Sequence, residues 1–433
     1  MSRMLFRGLQ ATVAIALVGL AAGCATAPGA QRQVSSAASQ PRAMSDLSVT
    51  AIAPPPAPQT STGHPVNWWF AFKFNAKAFP LCGAGQTENC LFGGSPSTNS
   101  AGQQFVTANS ESGQLVKGDT CLGQTLQDPI GATFNEVYNG SLFYVLWNDQ
   151  FYDDPTIPGC TQECSAPWAH SKGMVAWDAN GNGFLMQVTT PSWPGSGSQT
   201  NPRAAGNTLA CVSNDNNMKF SQHFFSLRLT KNDLVKVLTA LGNASVATDP
   251  SNRQIVSNGG PSDVQSLVAA LGKQSASTQV SVDTLSTGVE MIAKPSRLNV
   301  PPWQMVSALL GGQPLKVANW WTTPDKIPAT TAGTPIHCWD ASLGTPGAVE
   351  SATSGTWDGV KFGLQGGASA DHNHAKVAVG TAAGSDLVIF GDMNEQGSLS
   401  GNCKAAQNGR GGLFFVVHDA ALNQAMTSLM DGP

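Results

Sequence analysis

The stretch that most constrains this chain runs from Asp371 to Asn394, DHNHAKVAVGTAAGSDLVIFGDMN. Two short alternating runs, HAKVAV and DLVIFGDM, flank a small-residue connection, TAAGS, and predict a β-hairpin with one buried face. Residues two apart on a strand point to the same side, so His374 and Lys376 project together, an imidazole beside a fixed positive charge. The arrangement recurs near position 170 in HSKGMVAWDANGNGFLMQV, where His170 and Lys172 open a strand, DANGNG turns the chain and FLMQV returns it. Seven His and fourteen Lys in 433 residues supply roughly 0.2 His-x-Lys triplets by chance. Two of them in matching hairpins predict a duplicated half-site. Asp178, Asn180 and Asn182 alternate as in a calcium loop, but Thr189 stands where that loop requires Glu, so DANGNG reads as a turn.

The amino terminus sets the compartment. Arg3 and Arg7 precede an apolar run, Ala11 to Ala22, that ends in LAAGC at Cys24. A short charged region, a short apolar core and small residues before a cleavage point make residues 1–23 an export signal, too short for a permanent bilayer anchor. LAAGC resembles the bacterial lipoprotein box, in which Cys24 becomes the acylated first residue; ordinary cleavage after a small-residue site is the alternative. Ala25 after the cysteine points to the outer membrane, facing the periplasm or the cell surface, with the bilayer as a partner through the lipid. An even set of eight further cysteines in an exported chain predicts up to four disulfides. Cys338 and Cys403 flank the second half-site and are expected to pair, and Cys160-x3-Cys164 reads as structural.

The formal charge of −4 advertises no broad basic face for nucleic acid. Loss of residues 1–23 leaves 21 basic against 27 acidic side chains, and protonating all seven histidines turns the resulting −6 into +1. A polyanion is therefore received better in mild acid.

Residues 24–62, rich in Ala, Ser, Pro and Gln, predict a flexible tether. Order is expected from HPVNWWFAFKFN, the first strand, and SLFYVLWND predicts a strand covered on both faces. Residues 63–243 form a first half that also includes NTLACVS as a strand and a helix at 231–243 capped by Thr230 or Asn232. Residues 244–285 read as a polar connection around a second helix, SDVQSLVAAL. Residues 286–433 form a second half with TGVEMIAK, LKVANWW, GVKFGL and GLFFVVHD as strands and PPWQMVSALLG as a helix begun by its prolines. The fold class is α/β, with a mixed central sheet and flanking helices in each half.

Read together, these landmarks resemble the deoxyribonuclease II family. HPVNWWFAFKF is similar to the family's opening G-x-P-V-D-W strand, VLWNDQ to L-Y-N-D-Q, HSKG to H-T/S-K-G, and NTLACVS to T-L-L-C-V-S. HAK at 374–376 and GDMN at 391–394 are similar to the closing D-H-S-K and G-D-M/I-N, followed by RGG at 410–412. The resemblance implies a phospholipase D-like fold, two pseudo-symmetric α/β halves sharing one active site. It also implies metal-independent hydrolysis of DNA phosphodiesters, typically in acid, leaving 3′-phosphate and 5′-hydroxyl ends. The chain departs from the pattern at Asn373, with the expected Asp displaced to 371, at Val377 in place of Trp, and at Glu395 in place of Arg.

Phosphodiester hydrolysis needs a nucleophile, an acid for the leaving oxygen, and positive charge around the phosphoryl oxygens. A neutral imidazole can attack phosphorus to form a phospho-histidine while a protonated one donates to the departing oxygen. The residues themselves do not separate these roles; analogy with phospholipase D-like enzymes assigns His170 as nucleophile and His374 as acid. Lys172 and Lys376 replace a metal as the charge clamp, and no metal or other cofactor is expected. Asn394 and Gln187 are expected at phosphate oxygens, with Asn148, Asp392 and Arg410 as further substrate-binding candidates. Arg410 reads equally as part of a Gly-rich turn. His372 is an alternative base at the wrong offset from Lys376, and His223, His337 and His418 read as structural. The leading expectation is a lipid-tethered nuclease acting on DNA. A phosphodiesterase acting on lipid or another substrate, or a non-catalytic binding lipoprotein, stand beside it, and oligomeric state stays open.

Overall fold

The alternating apolar runs form strands, as their period of two requires. The computed structural model describes residues 54–80, 82, 91–93, 103–151, 156–160, 163–194, 198–203, 219–321, 329–367, 369–397, 399–404 and 406–431. The export signal, Cys24, most of the expected tether and the strand expected at 207–213 lie outside the described residues.

The first stretch of elements is β1 (Trp68–Lys73), β2 (Phe105–Asn109), β3 (Ser112–Lys117), α1 (Pro129–Tyr138), β4 (Phe143–Asn148), β5 (Lys172–Trp177), β6 (Gly183–Val188), β7 (Gln222–Leu229), α2 (Lys231–Ala244), β8 (Val256–Ser257) and α3 (Ser262–Ala270). Its strands form an eight-stranded sheet in the order β3-β2-β1-β7-β6-β5-β4-β8. The second stretch is β9 (Ser281–Thr284), β10 (Glu290–Lys294), α4 (Pro302–Leu309), β11 (Leu315–Ala318), β12 (Val349–Ser351), β13 (Ser354–Trp357), β14 (Val360–Gly363), β15 (Val377–Gly380), β16 (Leu387–Gly391), β17 (Gly412–His418) and α5 (Ala420–Met430). These give a seven-stranded sheet, β12-β11-β15-β16-β17-β10-β9, and a separate β13–β14 ribbon. With β2–β3 and β12–β14 set aside as insertions, one order recurs: strand, helix, four strands, helix, as β1-α1-β4-β5-β6-β7-α2 and as β10-α4-β11-β15-β16-β17-α5. The corresponding strands lie side by side in the same order, β1-β7-β6-β5-β4 and β10-β17-β16-β15-β11.

Both hairpins are present. Gly173 pairs with Gln187 across β5–β6, and Val377 with Phe390 across β15–β16. The expectation of a mixed sheet in each half holds only for the second, where β11 and β12 run parallel. The first is antiparallel at every pairing, because hairpins and reversing connections link its neighbours and no crossover places two of them parallel. The ordered chain also begins before His64. Ala57 is buried, and Gln59 pairs with Pro65 and donates its backbone N–H to Thr133 of α1 at 2.9 Å, so the last residues of the expected tether are packed chain. Residues 244–285 hold α3 and supply an edge strand to each sheet, β8 and β9.

Alternation along the strands decides what meets what. On β1, the Trp69 indole donates to Thr133 of α1 at 3.0 Å, while Phe70 stacks on Phe390 of β16 at 4.5 Å. Phe225 of β7 stacks on Phe390 at 4.6 Å and meets Phe415 of β17 at 5.6 Å, so aromatic rings join the two sheets. Each such buried ring is worth on the order of 2–3 kcal/mol. The next residue on β17, Phe414, faces the other way and meets Trp303 of α4 edge-on at 5.1 Å. Helix α2 touches β6 and β7 of one sheet and β10 and β17 of the other. Thr230 caps it through a reciprocal box with Asp233. The disulfide Cys338–Cys403 is present as expected, with Cys160–Cys164 and Cys82–Cys121.

Candidate active site

His170 and His374 stand just ahead of the first strands of their hairpins, and both line one cavity of about 510 Å³. Each imidazole is tied at Nδ1 to a backbone carbonyl on the other sheet. His170 bonds Asp392 O at the end of β16, and His374 bonds Thr189 O at the end of β6, both at 2.8 Å. A carbonyl only accepts, so Nδ1 carries the proton in each ring and Nε2 is left with its lone pair. The main chain is crossed in the same way: His170 N donates to Gly411 O at 2.9 Å and His374 N to Ser221 O at 2.7 Å. Gly411 must be glycine there, since a Cβ would stand 2.2 Å from the carbonyl oxygen of Ala244. Burial pushes both imidazoles well below the usual histidine range, reinforced at His170 by Lys172, Arg410 and Lys376 and at His374 by Lys376 and Lys172.

The two lysines lie behind the histidines and are not among the residues that line the cavity. Lys172 Nζ is paired with Asp149 at 2.5 Å, and the second oxygen of Asp149 accepts from Arg410 at 2.7 Å. One carboxylate between two cations leaves this buried trio with a net positive charge beside His170. Lys376 Nζ donates to His374 O at 2.6 Å, and burial with Lys172 nearby pushes its ammonium well below the usual lysine range.

Asn394 lines the cavity, with its backbone N–H donating to Gln407 at 3.1 Å; its side-chain oxygen finds no partner among the described residues. Arg410 also reaches the wall, but its guanidinium is spent on Asp149 and on the carbonyls of Trp168, Cys164 and Ala169, so it braces the chain leading into His170. Gln187 and Asp392 lie beneath the histidines. Lys376 N donates to His223 Nδ1 at 3.1 Å, which leaves His223 Nε2 to donate to Gln187 Oε1 at 3.3 Å. Gln187 then donates to Asp392 at 2.9 Å, and the backbone oxygen of Asp392 holds His170. The chain of bonds thus links one His-x-Lys segment to the other. Burial pushes the Asp392 carboxyl up to about 7.

Asn148 is turned away from the cavity, and its amide reaches the carbonyls of Thr190 and Trp193. Its neighbours in the WNDQ run do the work near the site: Asp149 holds the two cations and Gln150 lines the cavity. His372 borders a different groove of about 740 Å³, together with Lys77 and Phe362, and accepts from Ser369 N at 2.8 Å. His418 is exposed beside Asp386, and His337 is exposed. The aromatic walls, Phe220 and Trp320, were not legible as site residues; Trp320 stands edge-on to His374 at 6.2 Å.

No curated protein sequence matches the chain. The family model for deoxyribonuclease II matches residues 58–432, a span that contains both His-x-Lys hairpins and every residue lining the cavity, and the chain belongs to the deoxyribonuclease II family.

Proposed function

We propose that this nuclease-family hydrolase cleaves DNA phosphodiesters through a phospho-histidine, without a metal, and most rapidly in mild acid. The observation that carries the reading is the pair of imidazoles on one cavity, each fixed at Nδ1 with Nε2 left for chemistry. His170 Nε2 attacks phosphorus; the N–P bond forms as the P–O5′ bond breaks, and His374, protonated at Nε2, gives its proton to the leaving oxygen. Water then attacks the phospho-histidine, passing its proton to His374, and the N–P bond breaks to leave a 3′-phosphate. Lys172, Lys376 and the Asp149–Arg410 pair supply positive potential from beneath, where low dielectric strengthens it.

The acid preference follows from the same charges. Burial, reinforced by cationic neighbours, lowers the imidazolium pKa of His374, so its acid form grows only below the ordinary histidine range. Asp392, raised to about 7, has lost most of its negative charge before that range is reached, so the ground beneath the site is already more positive when His374 gains its proton. The rate therefore falls as pH rises through both transitions. The recurring element order supports two pseudo-symmetric, phospholipase D-like halves, 63–243 and 286–433, that share this site. Export by residues 1–23 and acylation at Cys24 belong to the reading as well, placing the enzyme on the outer membrane.

The test is incubation of the purified chain with plasmid DNA and with phosphatidylcholine, in EDTA, across pH 4 to 8. The expected outcome is DNA cleavage with 3′-phosphate ends, abolished by His170→Ala and by His374→Ala, with the double variant hardly worse because the pair acts as one unit. Full activity in His170→Ala, or cleavage only with a divalent metal, overturns the mechanism. Hydrolysis of the lipid and not of DNA moves the substrate to phospholipids.

A further inference from the structure

Two more lysines repeat the symmetry of the site. Lys73 is the last residue of β1 and Lys294 the last of β10, corresponding positions in the recurring order of strands. Both are fully buried, at 0% exposure. Lys73 Nζ donates to Phe220 O at 2.6 Å and to Phe74 O at 3.1 Å. Lys294 Nζ donates to Arg410 O at 2.7 Å and to Asn408 O at 2.9 Å. Phe220 and Arg410 each stand two residues before a strand, β7 or β17, in the loop that passes the cavity.

The next carbonyl in each loop receives a histidine. Ser221 O accepts from His374 N, and Gly411 O accepts from His170 N. Each lysine therefore fixes a loop belonging to its own sheet, and that loop seats the histidine attached to the other sheet. An apolar residue would fill either position without the cost of burying an ammonium. What the ammonium adds is several N–H donors fanned toward carbonyls of a loop that no regular ladder holds. For Lys294, burial pushes the amine down to about 7, as expected where the described residues offer it carbonyls and no carboxylate.

We infer that Lys73 and Lys294 are positioning residues, Lys73 for His374 and Lys294 for His170, each acting through the carbonyl of the loop that it pins. The inference rests on the two-histidine reading of the site, and the test separates the two.

Amide hydrogen exchange on full-length Lys73→Met and Lys294→Met reads the seats directly. Lys73→Met should speed exchange at His374 N–H by on the order of tenfold and leave His170 N–H unchanged, with the reverse in Lys294→Met. Kinetics supply the second readout, on DNA and on an aryl phosphodiester whose leaving group departs without an acid. In the first turnover, Lys73→Met should behave like His374→Ala, slow on DNA but near wild type in release of the aryl group. Lys294→Met should behave like His170→Ala, slow on both. If either Met variant does not fold, the Gln variant, which keeps a donor on a shorter stem, is measured in the same way. Uniform exchange changes at both histidines, or lysine variants whose substrate pattern does not follow the paired histidine, overturn the inference. If the histidine variants themselves lack the expected split while each lysine still follows its partner, the assignment of acid and nucleophile fails and the positioning stands.

Discussion

At the residue scale, the site is built from hydrogen bonds that fix tautomers. A carbonyl at Nδ1 gives each imidazole a free Nε2, and the buried Lys172–Asp149–Arg410 trio sets the potential beneath His170. Asp149 is the keystone of that trio, because removing it leaves two buried cations facing each other. Asp149→Ala should destabilise the protein by about 3–5 kcal/mol in urea denaturation. Adding Lys172→Met should return part of that loss. Equal stability in Asp149→Ala and wild type would show the trio to be solvated. That the His-x-Lys segments meet at one cavity was legible because the triplet recurs in matching hairpins, and Asn394 because it follows the second of them; Arg410, expected at the substrate, has its guanidinium spent on Asp149 and backbone carbonyls. Asp149 was hidden beside Asn148: three adjacent polar residues at a strand end do not reveal which one faces a cation. Lys73 and Lys294 left no trace, since their partners are carbonyls that any residue supplies.

At the scale of elements, the long apolar strands and α2, α3 and α4 were legible from period and caps. Helices α1 and α5 were not. α1 has the signals of a start, with Asp128 accepting from Gly131 N and Pro129 in the first turn, but they follow a Gly- and Asn-rich stretch, and Gly131 and Asn135 interrupt the short helix itself. α5, AALNQAMTSLM, mixes polar and apolar residues and is held by packing chiefly against β3 and β13, with β15 and β16 beside them. Cys338–Cys403, expected from its position about the second hairpin, closes a span of 65 residues around the hairpin that His374 and Asn394 flank. In the chain-entropy model, a loop of that length contributes about 4 kcal/mol. Cys338→Ser with Cys403→Ser should therefore lower the melting temperature strongly while leaving the activity of the folded fraction intact. An unchanged melting temperature would show that the reduced chain is already held by its packing.

At the scale of the whole molecule, stability and pH are linked through buried carboxyls. Glu395, beside Asn394, is fully enclosed, accepts from Gln304 at 3.3 Å and Asn319 at 3.2 Å, and is raised by burial to about 7. A folded pKa above the unfolded value of 4.5 means that the folded state holds the proton more tightly. The contribution is complete below the unfolded value and is lost as pH rises toward 7. Glu395→Gln keeps the shape without the charge, so its melting temperature should gain on wild type between pH 5 and pH 8. A constant difference across that range would place the carboxylate in a solvated setting.

The crossing of the hydrogen bonds has a consequence for synthesis. His170 is seated by Asp392, 222 residues further along, and His374 by Thr189, 185 residues earlier. A growing chain that has not yet reached Asp392 can hold no histidine pair in register, however well its first sheet has formed. On the two-histidine reading, no catalytic site exists until nearly all of the chain has been made.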